Sequence, residues 1–188
     1  MTSKIMNIKQ HNKLSKQRGI TMVELLIVLG VIAVILGFIM VKAMGLRSNV
    51  DVGKAVDEVN MISQGVTTMY SSFGGDYSDV SDSDIVSLAP KNMLYGATDS
   101  QVVGTPWYNS NNDSTVTIKE GGNSSQYTLT LNSIPKDACR AIGSQFLNGV
   151  AAAVDVGGSA VTTVSELNTS CGTGDDADDG VDLGLTFN

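Results

Sequence analysis

From Leu25 to Val41 the chain runs seventeen residues without a charge (LLIVLGVIAVILGFIMV), and Ile20 to Glu24 extend the run to twenty-two residues with a single acid. As a helix this stretch is roughly 30 Å long, the thickness of a bilayer's hydrocarbon core. Lys4, Lys9, Lys13, Lys16 and Arg18 precede it with no Asp or Glu among them. That asymmetry predicts a cytoplasmic N-terminal tail, with everything after the run on the far side of the membrane. A secretory signal would be cut after the run at small residues. Here Lys42-Ala43-Met44-Gly45-Leu46-Arg47 follows, and no such site is present.

Glu24 is the anomaly. A carboxylate one turn into an apolar helix costs several kcal/mol, on the order of the cost of any buried charge, unless it is neutral or paired. The segment Gln17-Arg18-Gly19-Ile20-Thr21-Met22-Val23-Glu24 has a basic leader, a Gly at the edge of the run, Thr two residues on and an acid five residues on. In this it resembles the type IV prepilin family, and the long leader and Ile at the first mature position resemble the type IVb pilins, of the toxin-coregulated and colonisation-factor kind.

The resemblance implies cleavage by a prepilin peptidase between Gly19 and Ile20, N-methylation of Ile20, and a role for Glu24 in setting register between subunits. It also implies an α+β fold, in which a long helix packs against a head with an antiparallel sheet and one disulfide. The implied function is that of a major structural subunit of a type IVb pilus, used in adhesion and colonisation. The partners would be other copies of the chain, the peptidase, the assembly machinery of the inner membrane and a host-cell surface. The alternatives are a minor pilin that initiates or tips the fibre, a pseudopilin of type II secretion, and a signal-anchored binding protein that is never cleaved.

The chain divides into a leader at 1–19, a membrane and filament-core helix at 20–45, an amphipathic half-helix at 46–73 and a head at 74–188. In the second segment Gly30, Ala33 and Gly37 share one face, where small side chains let another helix approach. In the third, Val52, Ala55, Val56, Val59, Ile62, Val66, Met69 and Tyr70 recur at helical spacing up to Phe73-Gly74-Gly75. Gly45 and Gly53 weaken the expectation of one unbroken helix.

In the head the pattern predicts a short helix to Leu88, capped by Asp82 or Ser83. Trp107 is expected to anchor a satellite core. A hairpin is expected from Thr115 to Leu131, turning at Gly121-Gly122-Asn123. A helix is expected over Pro135–Asn148, and short strands around Val154–Val156 and Val161–Val164. The alternation of Val181, Leu183, Leu185 and Phe187 with polar residues reads as a terminal strand.

An exported head would place Cys139 and Cys171, the only two cysteines, in an oxidising compartment, where an even count favours a disulfide. The pattern places that bridge between a helix and a loop. The single histidine, His11, lies in the leader, so the mature chain has no His-based triad or zinc site. No nucleotide-binding glycine pattern occurs, and neither an enzyme nor a cofactor is expected. Loss of the leader removes five of twelve basic residues and none of nineteen acidic ones, leaving a net charge near −12 that does not suit nucleic acid. Asp175, Asp176, Asp178 and Asp179 form an acidic run that offers oxygen ligands for calcium, but the spacing fails the EF-hand pattern. A solvated surface loop is the preferred reading of that run, and no metal site is assigned.

Overall fold

The computed structural model describes residues 22–109, 113–172 and 180–188, leaving aside the side chains of 38–48. Contacts divide the chain into two compact units, Met1–Ala43 and Met44–Asn188. Helix α1 spans Met22–Ser71 without a break at Gly45 or Gly53. It ends at Gly74 and Gly75, both at positive φ, where the Phe73 and Gly75 amides donate to the Tyr70 carbonyl at 2.9 and 3.1 Å.

In the second unit, Val52, Ala55, Val59, Ile62 and Val66 of α1 are buried in one core with the sheet residues and the remaining helices. Helix α2, Asp82–Leu88, is capped one residue earlier than the sequence suggested. The Ser81 amide donates to Asp84 Oδ2 at 2.8 Å, an acid in the first turn answering the N-terminal donors. A short 3₁₀ turn at Lys91–Met93 leads into the strands.

The strands are β1 (Leu94–Tyr95), β2 (Val102–Gly104), β3 (Thr115–Glu120), β4 (Tyr127–Ile134), β5 (Ala153–Val156), β6 (Ser159–Val161) and β7 (Val181–Phe187). They form one sheet in the order β1-β2-β3-β4-β7-β5-β6, every neighbouring pair antiparallel. The terminal strand thus lies in the middle of the sheet. Its register aligns apolar side chains in rows: Val156, Leu183, Leu131 and Val116 in one, Val154, Leu185, Leu129 and Ile118 in the next. Because side chains alternate faces, this one register puts all eight against the core. A bulge between Leu131 and Ile134, with Ser133 at φ 50°, is held where the Ser133 amide donates to Asp182 Oδ1 at 2.9 Å.

Helix α3, Lys136–Phe146, starts after Pro135 and buries Ala138, Cys139, Ile142, Gly143 and Phe146. Helix α4, Val164–Ser170, replaces the strand expected to continue through Val164. Thr163 explains the change. Its hydroxyl accepts from the Glu166 amide at 3.2 Å, while Glu166 Oε2 accepts from the Thr163 amide at 3.2 Å. This reciprocal cap starts a helix where β-branched residues alone suggested a strand. Trp107 packs against the main core and forms no satellite.

Where α3 meets α4, a Cβ on Gly143 would sit 2.7 Å from Leu167 Cδ1. Gly143→Val is therefore expected to destabilise the head by about 1–3 kcal/mol through overpacking. Urea unfolding of the full chain in detergent would register that loss as a lower midpoint with an unchanged slope.

Candidate assembly surface and disulfide-bonded head

In the first unit every described side chain of α1 from Met22 to Gly37 is exposed. The large apolar ones include Leu25, Leu26, Ile27, Leu29, Ile32, Ile35 and Leu36, each between 45 and 63% exposed. Apolar surface this continuous marks a place where lipid or protein covers the chain, since each Å² removed from water gains roughly 25 cal/mol. Among the described residues no helix is long and apolar enough to cross a membrane; the side chains of the run are described only as far as Gly37. Glu24 is exposed on the first described turn, at the head of this surface. Gly30, Ala33 and Gly37 lie along it, with open space where a Cβ on either glycine would go. Gly19 and Ile20 fall outside the described residues, as do Asp175, Asp176, Asp178 and Asp179 of the acidic run.

In the second unit Cys139 and Cys171 form a disulfide with their Cα atoms 5.9 Å apart. Cys171 is the C-terminal cap of α4, its amide donating to the Leu167 carbonyl at 2.9 Å. The bridge therefore joins α3 to the capping residue that ends α4, where the following loop begins. Arg140 of α3 reinforces the same corner, donating to the Gly172 carbonyl at 3.2 Å and pairing with Asp137.

The long helix is tied to the sheet through Tyr127. Its hydroxyl donates to the Ser63 carbonyl at 3.0 Å and lies 2.8 Å from Ser63 Oγ and 3.2 Å from Thr67 Oγ1. Around it Tyr77 and Phe187 pack with ring centroids 4.7 and 5.6 Å away. These polar and ring contacts fix the rotation of α1 on the sheet, where aliphatic packing alone would leave slack.

One buried residue was missed from the sequence. Glu58 of α1 is 2% exposed, and neither carboxylate oxygen has a hydrogen-bond partner among the described residues. Burial pushes its pKa from 4.5 up to about 7. The signal was in the spacing: Glu58 stands three residues after Ala55 and four before Ile62, on the buried stripe itself.

A long N-terminal helix whose second half packs in a disulfide-bonded head with an antiparallel sheet is the fold of a type IV pilin. The crystal structure of the type IVb pilin from Salmonella typhi shares it, with a TM-score of 0.55 and 18% identity over 72% of this chain and 99% of that one. TcpA, a type IV pilin from the Vibrio cholerae El Tor biotype, aligns with a TM-score of 0.47 and 12% identity over 73% of this chain and 99% of its own. No curated protein matches the chain. Residues 14–40 match the prokaryotic N-terminal methylation motif, and residues 47–188 match Bundlin. The chain belongs to the Bundlin family, and is a type IV pilin similar to those of the IVb kind. Proteins of this family and fold are structural subunits and not enzymes.

Proposed function

We propose that this chain is the major structural subunit of a type IVb pilus, cut after Gly19, N-methylated at Ile20 and polymerised through its N-terminal helix. The observation that carries the reading is the exposed apolar surface of α1 with Glu24 at its head, lying within residues 14–40 that match the methylation motif. Before assembly the run Leu25–Val41 holds the subunit in the inner membrane, with the basic leader cytoplasmic and the head outside. In the fibre the same surface packs against other copies, the small faces of Gly30, Ala33 and Gly37 admit a neighbouring helix, and Glu24 pairs with the amine of a neighbouring Ile20. The peptidase and the assembly machinery of the inner membrane are the partners this route requires. The head, acidic and rich in Ser, Thr and Asn, faces solvent and host surfaces, where the fibre serves adhesion and colonisation.

Mass spectrometry of filaments sheared from native cells tests this directly. The expected result is a dominant chain beginning at methylated Ile20. A processed chain present only in trace would move the reading to a minor pilin or a pseudopilin. A chain that retains residues 1–19 would remove the processing step altogether.

A further inference from the structure

At the C-terminal end of α1 a cleft of about 600 Å³ is lined by Met69, Tyr70 and Phe73 together with Asp76, Ser78, Asp79 and Asp84. We propose that this cleft binds a substituted ammonium group, held by the exposed Phe73 ring and the three carboxylates. Its volume lies in the range of small-molecule sites. Phe73 is 72% exposed, so its ring is not spent on the core. The Tyr70 ring lies beside it, centroids 6.1 Å apart and planes tilted by 53°, with Tyr77 packed against Tyr70 at 5.3 Å, so the exposed Phe73 ring is the one open to a cation.

The field in the cleft is negative. Its lining contains no Lys or Arg, and both ion pairs among the described residues, Lys54–Asp51 and Arg140–Asp137, are made elsewhere. Asp84 accepts from the Tyr70 hydroxyl at 2.9 Å. Burial first, and then Asp84 and Asp79, push that hydroxyl up to about 12. Asp76 is held below the usual carboxylate range, first by the Ser78 hydroxyl and then by the Ser78 amide, which donates to its Oδ1 at 3.1 Å. A metal ion is the poorer occupant. Among the described residues no three acidic, Cys or His side chains stand close enough to hold one, and calcium needs six or more oxygens, about the full shell. Negative charge without chelating geometry, beside the exposed ring of Phe73, selects a large and weakly hydrated organic cation.

The chemistry is shared by soluble quaternary amines and by the choline headgroup of a phospholipid. Equilibrium dialysis of radiolabelled choline against the full chain in maltoside micelles is expected to show one saturable site. The uncharged isostere 3,3-dimethyl-1-butanol should compete far less well than unlabelled choline. Phe73→Leu, which keeps bulk but removes the ring, and Asp79→Asn should each weaken binding by about two- to fivefold, the size of one exposed cation contact. Absence of saturable choline binding, equal competition by the isostere, or parental affinity in both variants would overturn the proposal. Co-sedimentation of filaments with phosphatidylcholine but not phosphatidylglycerol vesicles would assign the group to a lipid surface. Choline binding without co-sedimentation would assign it to a soluble amine.

Discussion

Replacing Glu58 with Gln is expected to stabilise the head by about 3 kcal/mol more at pH 8 than at pH 4.5, and Glu58→Leu should show the same pH dependence. The cause is burial. Glu58 is 2% exposed without a hydrogen-bond partner among the described residues, and its folded pKa rises from 4.5 to about 7 through desolvation. At pH values below 4.5 the carboxyl is protonated in both states and imposes no ionisation penalty. As pH rises from there the unfolded chain ionises freely while the folded chain resists, so stability falls. The loss is complete once pH has passed through about 7, because the folded carboxyl then ionises too. Neither Gln nor Leu can ionise, so the difference between parent and variant isolates this one group from the other carboxylates. Leu should add a gain at every pH by removing an unpaired buried polar group. Urea unfolding of the full chain at pH 4.5, 6 and 8 would measure it. A difference between the parent and the Glu58→Gln variant that stays flat with pH would falsify the claim that this carboxyl is buried and unpaired.

Removing the disulfide by Cys139→Ala together with Cys171→Ala is expected to cost about 3–4 kcal/mol, the chain-entropy value for a bridge of this span. The cysteines are 32 residues apart, and the loop they close contains β5, β6 and α4. Both cysteines are fully buried. The cost falls on the unfolded side, since an open loop has more conformations to lose when β5 must pair with β7. The same readout with and without reductant tests it: reductant should lower the parent's midpoint toward that of the double variant and leave the double variant unmoved. A loss below about 1 kcal/mol, well under the entropic value, would mean that packing of α3 on α4 already positions the loop. The contact of Gly143 with Leu167 makes this a coupled corner. Gly143→Val combined with the bridge removal should therefore deviate from the sum of the two separate effects.

Much of this architecture could be read before any coordinates. The stripe from Val52 to Val66, the alternation from Val181 to Phe187 and the glycines ending α1 are local patterns with one structural solution each. Pro135 and the apolar face of Ala138, Cys139, Ile142 and Phe146 likewise placed α3. Elsewhere a local signal was present but outweighed. The β-branched run Val161 to Val164 suggested a strand, yet the reciprocal cap of Thr163 and Glu166 satisfies helix-end donors and turns the chain into α4. Glu58 carries no apolar signal of its own, and only its position on the stripe, three residues after Ala55 and four before Ile62, points to burial.

The methylation motif of residues 14–40 is visible in the sequence itself, because the uncharged run, the basic residues before it and Glu24 form a pattern that depends only on neighbours along the chain. The family followed from the same stretch, because that motif is contiguous. Folding in three dimensions was needed to bring the last strand into the middle of the sheet, between β4 and β5. It also made the disulfide a link between two helix ends, and it gathered Tyr70, Phe73 and three aspartates around one cleft. The difference lies in range. Periodicity and capping are fixed within a few residues, whereas strand order and clefts depend on which distant surfaces bury the most apolar area with their hydrogen bonds made.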